Sequence, residues 1–374
     1  MKVLLIVNTP AGIATWERAV KIKEALHKRN AIAYLINRKS SRFKDFFHFL
    51  TFILRNKDYD IAHIFEPFTP TLPFLYILMN ALNGALIYDT GDMHHAVLEI
   101  SGQSLAKYFI IKAFEHEAFS LADKIIVRGR GMKEILNTYV QLKDKTVWIP
   151  DGVDLKRFTP QNSSIIKERL GLPIDKVIIG YASYYRFIKI GKLRLPRGWE
   201  LILVGRKLLK AGYKNFNILF IGDGVALSEL KRMSKSYGLE KHVIFTGFVS
   251  SNVYLNYINA MDICFYEGYN HIAYHAMIGR KMREYMACGK AIVASEIGEA
   301  KYVLKKAGIT VKPCRLHEND IKRYVNDIYN AMLLLIENDK LRKSLGIKAR
   351  KFAEEYYDWY KIANKIVKLY FKLT

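Results

Sequence analysis

In the stretch KMREYMACGKAIVASEIG the spacing puts Glu284 at the start of an apolar-faced helix, followed by small residues and a buried strand. A carboxylate near a helix amino terminus can accept two hydroxyl hydrogen bonds from a vicinal diol such as ribose. An ordinary helix-capping acid has the same spacing. Asp58-Tyr59-Asp60 has the form of a paired-acid metal site, yet it precedes an apolar strand, where two acids commonly cap a turn. The ten histidines are scattered without ligand spacing, and no Ser-His-Asp or Cys-His constellation stands out. Cys264, Cys288 and Cys314 are odd in number and lack CxxC spacing, so a disulfide framework and a zinc site are both disfavoured and a reducing cytoplasm fits.

The formal net charge of +24 asks for an anionic counterpart, and its distribution is uneven. Between Arg18 and Lys57 there are eleven Lys/Arg against the two acids Glu24 and Asp45; between Arg186 and Lys214 there are nine against Glu200 alone. The first run holds RFKDFFHFLTFILRN, whose apolar residues cover most of a helix circumference and so suit a core. Its flanks Arg38, Lys39, Arg42, Lys44, Arg55 and Lys57 suit an anionic membrane surface, and peripheral attachment is the reading taken. No stretch reaches the roughly 18 to 20 apolar residues that span a bilayer; Asn80, Asn83 and Gly84 break the nearest, Leu72 to Tyr88. The first apolar run, in MKVLLIVNTP, is five residues long and reads as a strand, not a leader.

Elements that could position such residues alternate along the chain. KVLLIVN, AIAYLINR, DIAHIFE, ALIYDT and KIIVRG read as strands with helices between them, the pattern of a parallel sheet covered on both faces. After KTVWIPDGVDLKRFTP it restarts with KVIIGYAS, NILFIGDG, HVIFTGF, DICFYE and AIVASE. At 374 residues the chain is long enough for two cores, and 51% apolar residues can fill both. The expected plan is α/β: a Rossmann-like domain over 1–160, a boundary near 155 to 172, and a second such domain over 172–352. A final helix over 353–374 is expected to return to the first domain. Ligands in such sheets bind at the carboxyl ends of the strands, so the expected site is the cleft between the domains.

LADKIIVRGRGMKEIL, WIPDGVDLKRF, NILFIGDGVALSELKRMSKSYGLEKHVIFTGFVS and KMREYMACGKAIVAS occur in order over nearly the whole chain. Together they resemble the family-four retaining glycosyltransferases, the "glycosyl transferases group 1" type with the GT-B fold. The resemblance implies that Glu284 binds donor ribose and that Arg197, before a glycine in LPRGWELILVG, binds the diphosphate. Arginine forks suit phosphate, and fixed cations stabilise the charge of a departing diphosphate. It further implies donor contacts at Gly12 in NTPAGIATWERAV, at Gly222, and at the turn from Gly247 to Val249, where the base is recognised. Arg197, Lys281 and Asp92 are the expected catalytic residues. No metal and no cofactor are expected beyond the nucleotide-diphosphate sugar itself.

The chain also departs from the family. Gly180-Tyr181 stands where a glycine-arginine pair is usual, which moves the second diphosphate cation to Arg186 or Lys189 in an inserted loop. Ala276 stands where many members carry a second glutamate, and Glu267 is too distant in sequence to replace it by spacing. Lys281, three residues before Glu284, fits a lysine-bearing subgroup. In IYDTGDMHH the position of a strand-end His or Arg is Gly91, followed by Asp92, so the basic group is absent unless His94 or His95 reaches in. His94 is accordingly a candidate acceptor or sugar contact.

The expected protein is a cytoplasmic transferase, peripheral on the membrane face, that moves a hexose from a GDP- or UDP-linked sugar to a lipid-linked or glycan acceptor with retention. Two rivals remain. A GT-B epimerase acting on UDP-amino sugars would need an acid or base pair near the sugar, and no strong candidate is present. A nucleic-acid-binding protein would use the basic surfaces, but no RNP, KH or helix-turn-helix pattern supports it, and no nucleic-acid partner is expected.

Overall fold

A computed structural model describes residues 1–7, 14–37, 51–52, 58–66, 72–190, 192–277 and 279–374. The chain divides into two compact units: Met1–Gly152 with His275–Ile278 and Tyr356–Thr374, and Val153–Tyr274 with Gly279–Glu355. The first division thus precedes the expected 155 to 172. Residues after Gly152 belong with the second unit, where the Arg350 guanidinium donates to the carbonyls of Phe158 and Ala287, each at 2.7 Å.

The first unit is built on β1 (Lys2–Val7), β2 (Ile32–Asn37), β3 (Ile61–Phe65), β4 (Ala85–Thr90), β5 (Lys124–Val127) and β6 (Thr146–Trp148). They form a six-stranded sheet in the order β2-β1-β3-β4-β5-β6, all parallel. Continuous apolar runs such as VLLIV bury both faces of these strands, as a sheet covered by helices requires. One face is covered by the helix Ala14–His27 together with Trp359–Tyr370, whose Trp359, Ile362, Ile366, Val367 and Tyr370 lie in the same core as Val3, Leu5, Ile22, Leu26 and Ile87. Gly152 makes room for this helix: a Cβ there would stand 2.4 Å from the Trp359 ring.

The second unit holds β7 (Val177–Ala182), β8 (Phe187–Ile190), β9 (Leu193–Pro196), β10 (Phe216–Ile221), β11 (Val243–Phe245), β12 (Ile263–Tyr266), β13 (Ala291–Ser295) and β14 (Ile309–Val311). Six of them form a parallel sheet ordered β11-β10-β7-β12-β13-β14. The chain winds outward from β7 through β10 to β11 and then returns to β12 on the other side of β7. That reversal opens a crevice at the carboxyl ends of β7 and β12, the place where doubly wound sheets bind ligands. The segment expected as an inserted loop is the antiparallel hairpin β8–β9, with Lys189 opposite Arg194. Its alternation FIKI/LRLP lies between two turn-forming stretches and is a strand signal in its own right.

Among the described residues no helix is long and apolar enough to cross a membrane. Leu72 to Tyr88 divides into the helix Leu72–Ala81 and most of β4. All of RFKDFFHFLTFILRN except Thr51 and Phe52 lies outside the described residues; the Phe52 ring meets Tyr34 edge-on at 5.9 Å.

Candidate functional site

Glu267 follows β12 directly at the crevice and is almost fully buried. Arg197, at the end of the hairpin, donates from Nε to its Oε1 at 2.5 Å, and Lys281 Nζ stands 3.8 Å from its Oε2. Lys281 also lies over the Tyr181 ring, 4.4 Å from the centroid. Two predicted residues, Arg197 and Lys281, therefore meet on a carboxylate that sequence spacing had set aside. Its signal was position: the first residue after a strand that flanks the reversal of strand order.

Burial disfavours the Glu267 anion, but Arg197 and Lys281 outweigh it and hold the carboxyl below its ordinary value. Burial pulls the Lys281 ammonium down to about 8, a change that Glu267 opposes and Arg197 reinforces. Neither Lys281 Nζ nor Glu267 Oε2 has a hydrogen-bond partner among the described residues. These two buried atoms, 3.8 Å apart and each without such a partner, are placed to take a polar group between them. Arg186 is tied to Arg197 through the backbone, Arg197 N donating to Arg186 O at 2.9 Å, and its charge is felt at Lys281 and Tyr274. Lys189 is exposed on the hairpin.

Glu284 corrects the reading of its helix. Arg280–Ala287 is eight residues long with Gly279 as a cap that makes no side-chain bond, and its first turn holds no acid. The helix opens at Arg280, four residues before Glu284, and Lys281 occupies the first turn. Glu284 sits one turn later, 3% exposed, accepting from Tyr254 Oη at 2.8 Å and Arg280 Nε at 2.7 Å. Gly279 is required there: a Cβ would stand 2.1 Å from the Tyr266 hydroxyl.

Gly222 and Gly247 follow β10 and β11 and bridge, Gly222 N donating to Gly247 O at 3.0 Å. Gly222 has φ of +114°, and a Cβ on it would lie 2.1 Å from Ser183 O. Exposed Tyr184, Val225 and Phe248 come from the loops after three adjacent strands, β7, β10 and β11, and give this end of the sheet apolar surface.

In the first unit, Asp92 and His94 follow β4; Gly12 lies outside the described residues. Asp92 accepts from Thr90 Oγ1 through its carbonyl at 2.9 Å, and burial pushes its carboxyl up. His94 Nε2 meets Glu66 Oε2 at 2.5 Å, while His95 Nδ1 meets Glu115 at 2.5 Å. Behind them lies a buried ionic cluster: Asp89 accepts from Arg18 Nε at 2.7 Å and Arg128 Nε at 2.8 Å. The sequence reading missed this cluster, since its members come from β3, β4, β5 and a distant helix and share no local spacing. Asp58 and Asp60 lie at the opposite, amino end of β3, where both pair with Lys2. No group of three or more His, Cys, Asp or Glu placed to hold a metal occurs among the described residues.

Residues 181–352 match the family model described as Glycosyl transferases group 1. Over 329 residues the chain is 26% identical to an uncharacterized glycosyltransferase of Methanocaldococcus jannaschii, covering 86% of this chain and 78% of that one. It is 23% identical over 325 residues to the phosphatidyl-myo-inositol mannosyltransferase of Mycolicibacterium smegmatis, with 84% and 71% covered. Among solved structures it resembles sucrose-phosphate synthase from Thermosynechococcus elongatus (TM-score 0.74, 18% identity, 100% and 98% covered). Anabaena HepE in complex with UDP is similar as well (TM-score 0.70, 16% identity, 99% of each chain). These likenesses, with two six-stranded parallel sheets, show the GT-B fold.

Proposed function

Since the chain is a group 1 glycosyltransferase, an enzyme that transfers sugar, we propose that it moves a hexose from a UDP- or GDP-linked donor to a lipid-linked or glycan acceptor with retention of configuration. The observation that carries this reading is the convergence of Arg197 and Lys281 on Glu267 at the crevice of the second sheet. There the donor diphosphate lies on Arg197 and Arg186, Glu284 takes the ribose hydroxyls, and the base rests on the apolar surface of Tyr184, Val225 and Phe248. Lys281 Nζ and Glu267 Oε2 bracket a hydroxyl of the sugar. The bond from the anomeric carbon to the diphosphate oxygen breaks, and the electron pair leaves on that oxygen, beside the arginines. The departing phosphate takes the proton of the acceptor hydroxyl, whose oxygen bonds to the anomeric carbon on the same face. The chain's own cations supply the charge stabilisation, so this reading calls for no metal and no cofactor.

UDP bound to HepE supports a nucleotide donor, and the mannosyltransferase of Mycolicibacterium smegmatis, named for phosphatidyl-myo-inositol, supports a lipid acceptor. Peripheral attachment at a cytoplasmic membrane face is part of the proposal. Exposed Tyr76, Ile77, Leu105, Phe109 and Ile110, on two helices of the first unit, agree with it, as does the net charge of +24.

The test is a thermal-shift screen with UDP, GDP, ADP and their sugars. A cognate nucleotide at a hundredfold excess over Kd should add about 2.7 kcal/mol of stability, and Arg197→Ala should lose both that gain and turnover. A folded wild-type protein stabilised by none of these nucleotides sinks the donor site. Failure to float with anionic liposomes at low salt sinks the membrane part alone.

A further inference from the structure

Glu66 directly follows β3 and has φ of +69°. A glutamate in the left-handed region costs on the order of 1 kcal/mol, and such strain persists only where the surroundings enforce it. Its amide is fixed by Asp89 O at 2.9 Å. Its Oε1 takes Arg128 NH1 at 2.9 Å and the Thr15 hydroxyl at 3.4 Å, leaving Oε2 to His94. Arg128 runs tight against residue 91: a Cβ on Gly91 would stand 3.1 Å from both Cδ and NH1 of Arg128, and the guanidinium would have to give by a few tenths of an ångström. From behind, Arg128 Nε is held by Asp89 Oδ1 at 2.8 Å and faces Asp151 Oδ1 at 3.7 Å. Of the three groups, His94 is the most open, its side chain 27% exposed against 12% for Glu66 and 4% for Arg128.

We propose that Glu66 is a positioning residue: clamped by Arg128 in the space Gly91 leaves, it holds His94 as an imidazolium whose Nδ1–H is offered to an oxygen of the substrate. This rests on the reading of the chain as a nucleotide-sugar transferase. The chemistry follows from the ring. With Nε2 only 2.5 Å from a Glu66 carboxylate oxygen, lone-pair repulsion keeps the proton of a neutral His94 on Nε2 and Nδ1 can only accept; the cation donates from both nitrogens. Glu66 therefore decides the sign of what His94 shows to a ligand at the carboxyl end of the first sheet. The matching oxygen is a phosphate or sugar-hydroxyl acceptor, not a donor group. Burial alone would lower the His94 pKa, but Glu66 outweighs it and, with Asp92 and Glu115 adding, lifts it to about 9. Burial likewise opposes the Glu66 anion, and Arg128 with His94 brings it down to about 2, against a smaller opposing push from Asp89. Among the described residues, Asp89, Asp92, Glu115 and Arg128 also face the pair.

The experiment follows the ring proton of His94 by NMR in the full chain, assigned by its loss in His94→Gln. Wild type should titrate near 9, and Glu66→Gln should move the midpoint by about two units toward the ordinary 6.5. Gly91→Ala, which presses a methyl on Arg128, should shift it the same way and serves if Glu66→Gln does not fold. The alkaline limb of kcat/KM should move with the midpoint, and Arg128→Lys, which keeps a cation behind Glu66, should retain part of the wild-type position. An unchanged His94 midpoint in both variants overturns the proposal. So does a shifted midpoint with wild-type kcat and pH profile, which would leave Glu66 a purely structural role. The titration needs no substrate, so a chain that binds no nucleotide would refute the proposed function while the midpoints still report on Glu66.

Discussion

Lys281 carries its proton loosely, and donor binding should reveal it. Between pH 7 and 9 the ammonium, lowered to about 8 chiefly by burial, passes from charged to neutral. UDP affinity measured by calorimetry should therefore fall as pH rises through 8, and Lys281→Arg should flatten that dependence; a flat wild-type profile would place the lysine outside the donor site. Folding has the opposite sign here. The unfolded lysine binds its proton up to about 10.5, so this residue's contribution to stability increases from pH 8 upward. Glu66 and His94 behave as an ordinary ion pair: the Glu66 part is present above about 4.5 and lost toward 2, the His94 part is full below about 6.5 and lost through 9. Glu267→Gln leaves two buried cations without their anion and should cost about 3 to 5 kcal/mol in urea unfolding, partly recovered on adding nucleotide. At this scale Arg197, Lys281 and Glu284 could be named from the sequence as candidates, because each stands in a motif that carries the family resemblance. The resemblance assigns no role to Glu267, Glu66 or Arg128. Each is defined by which strand ends lie side by side, and that is a property of the sheet.

Elements were more legible than sites. Alternation of β-branched runs with helical segments disclosed both parallel sheets, since a buried parallel strand must be apolar on both faces. The hairpin β8–β9 is hard to read because four-residue strands rich in basic residues show little of a period of two, and the start of the helix Arg280–Ala287 is hidden because Gly279 caps it without a side-chain bond. Glycines test the loop geometry after β10. Gly222 and Gly212 both have positive φ, +114° and +86°, yet a Cβ at Gly222 collides with Ser183 O while nothing lies within 4 Å of one at Gly212. Gly212→Ala should cost about 1 kcal/mol and Gly222→Ala more than twice that, with loss of nucleotide binding. Equal costs by chemical denaturation would show that strain alone, without the collision, governs this turn.

At the scale of the molecule, the helix Trp359–Tyr370 belongs to the core of the first unit. Tyr370 Oη pairs with His63 Nδ1 at 2.5 Å, and Trp359 Nε1 donates to Glu17 at 3.1 Å. Ile366→Ala should cost about 2 to 5 kcal/mol. A chain ending at Tyr356 should lose protease protection across the first sheet while the second stays resistant; equal resistance of both would refute that dependence.

The same helix sets an order on synthesis. A ribosome releases the first sheet early, but the side of it that Trp359 to Tyr370 must cover stays bare until the whole second unit has been made. From Gly152 to Trp359 is 207 residues (359 − 152), which at 5 to 20 residues per second is roughly 10 to 40 s. During that interval Ile22, Leu26 and their neighbours lack the helix that completes their core, so the half of the protein that is born first is the half that finishes last and is the part of the nascent chain that most needs a chaperone.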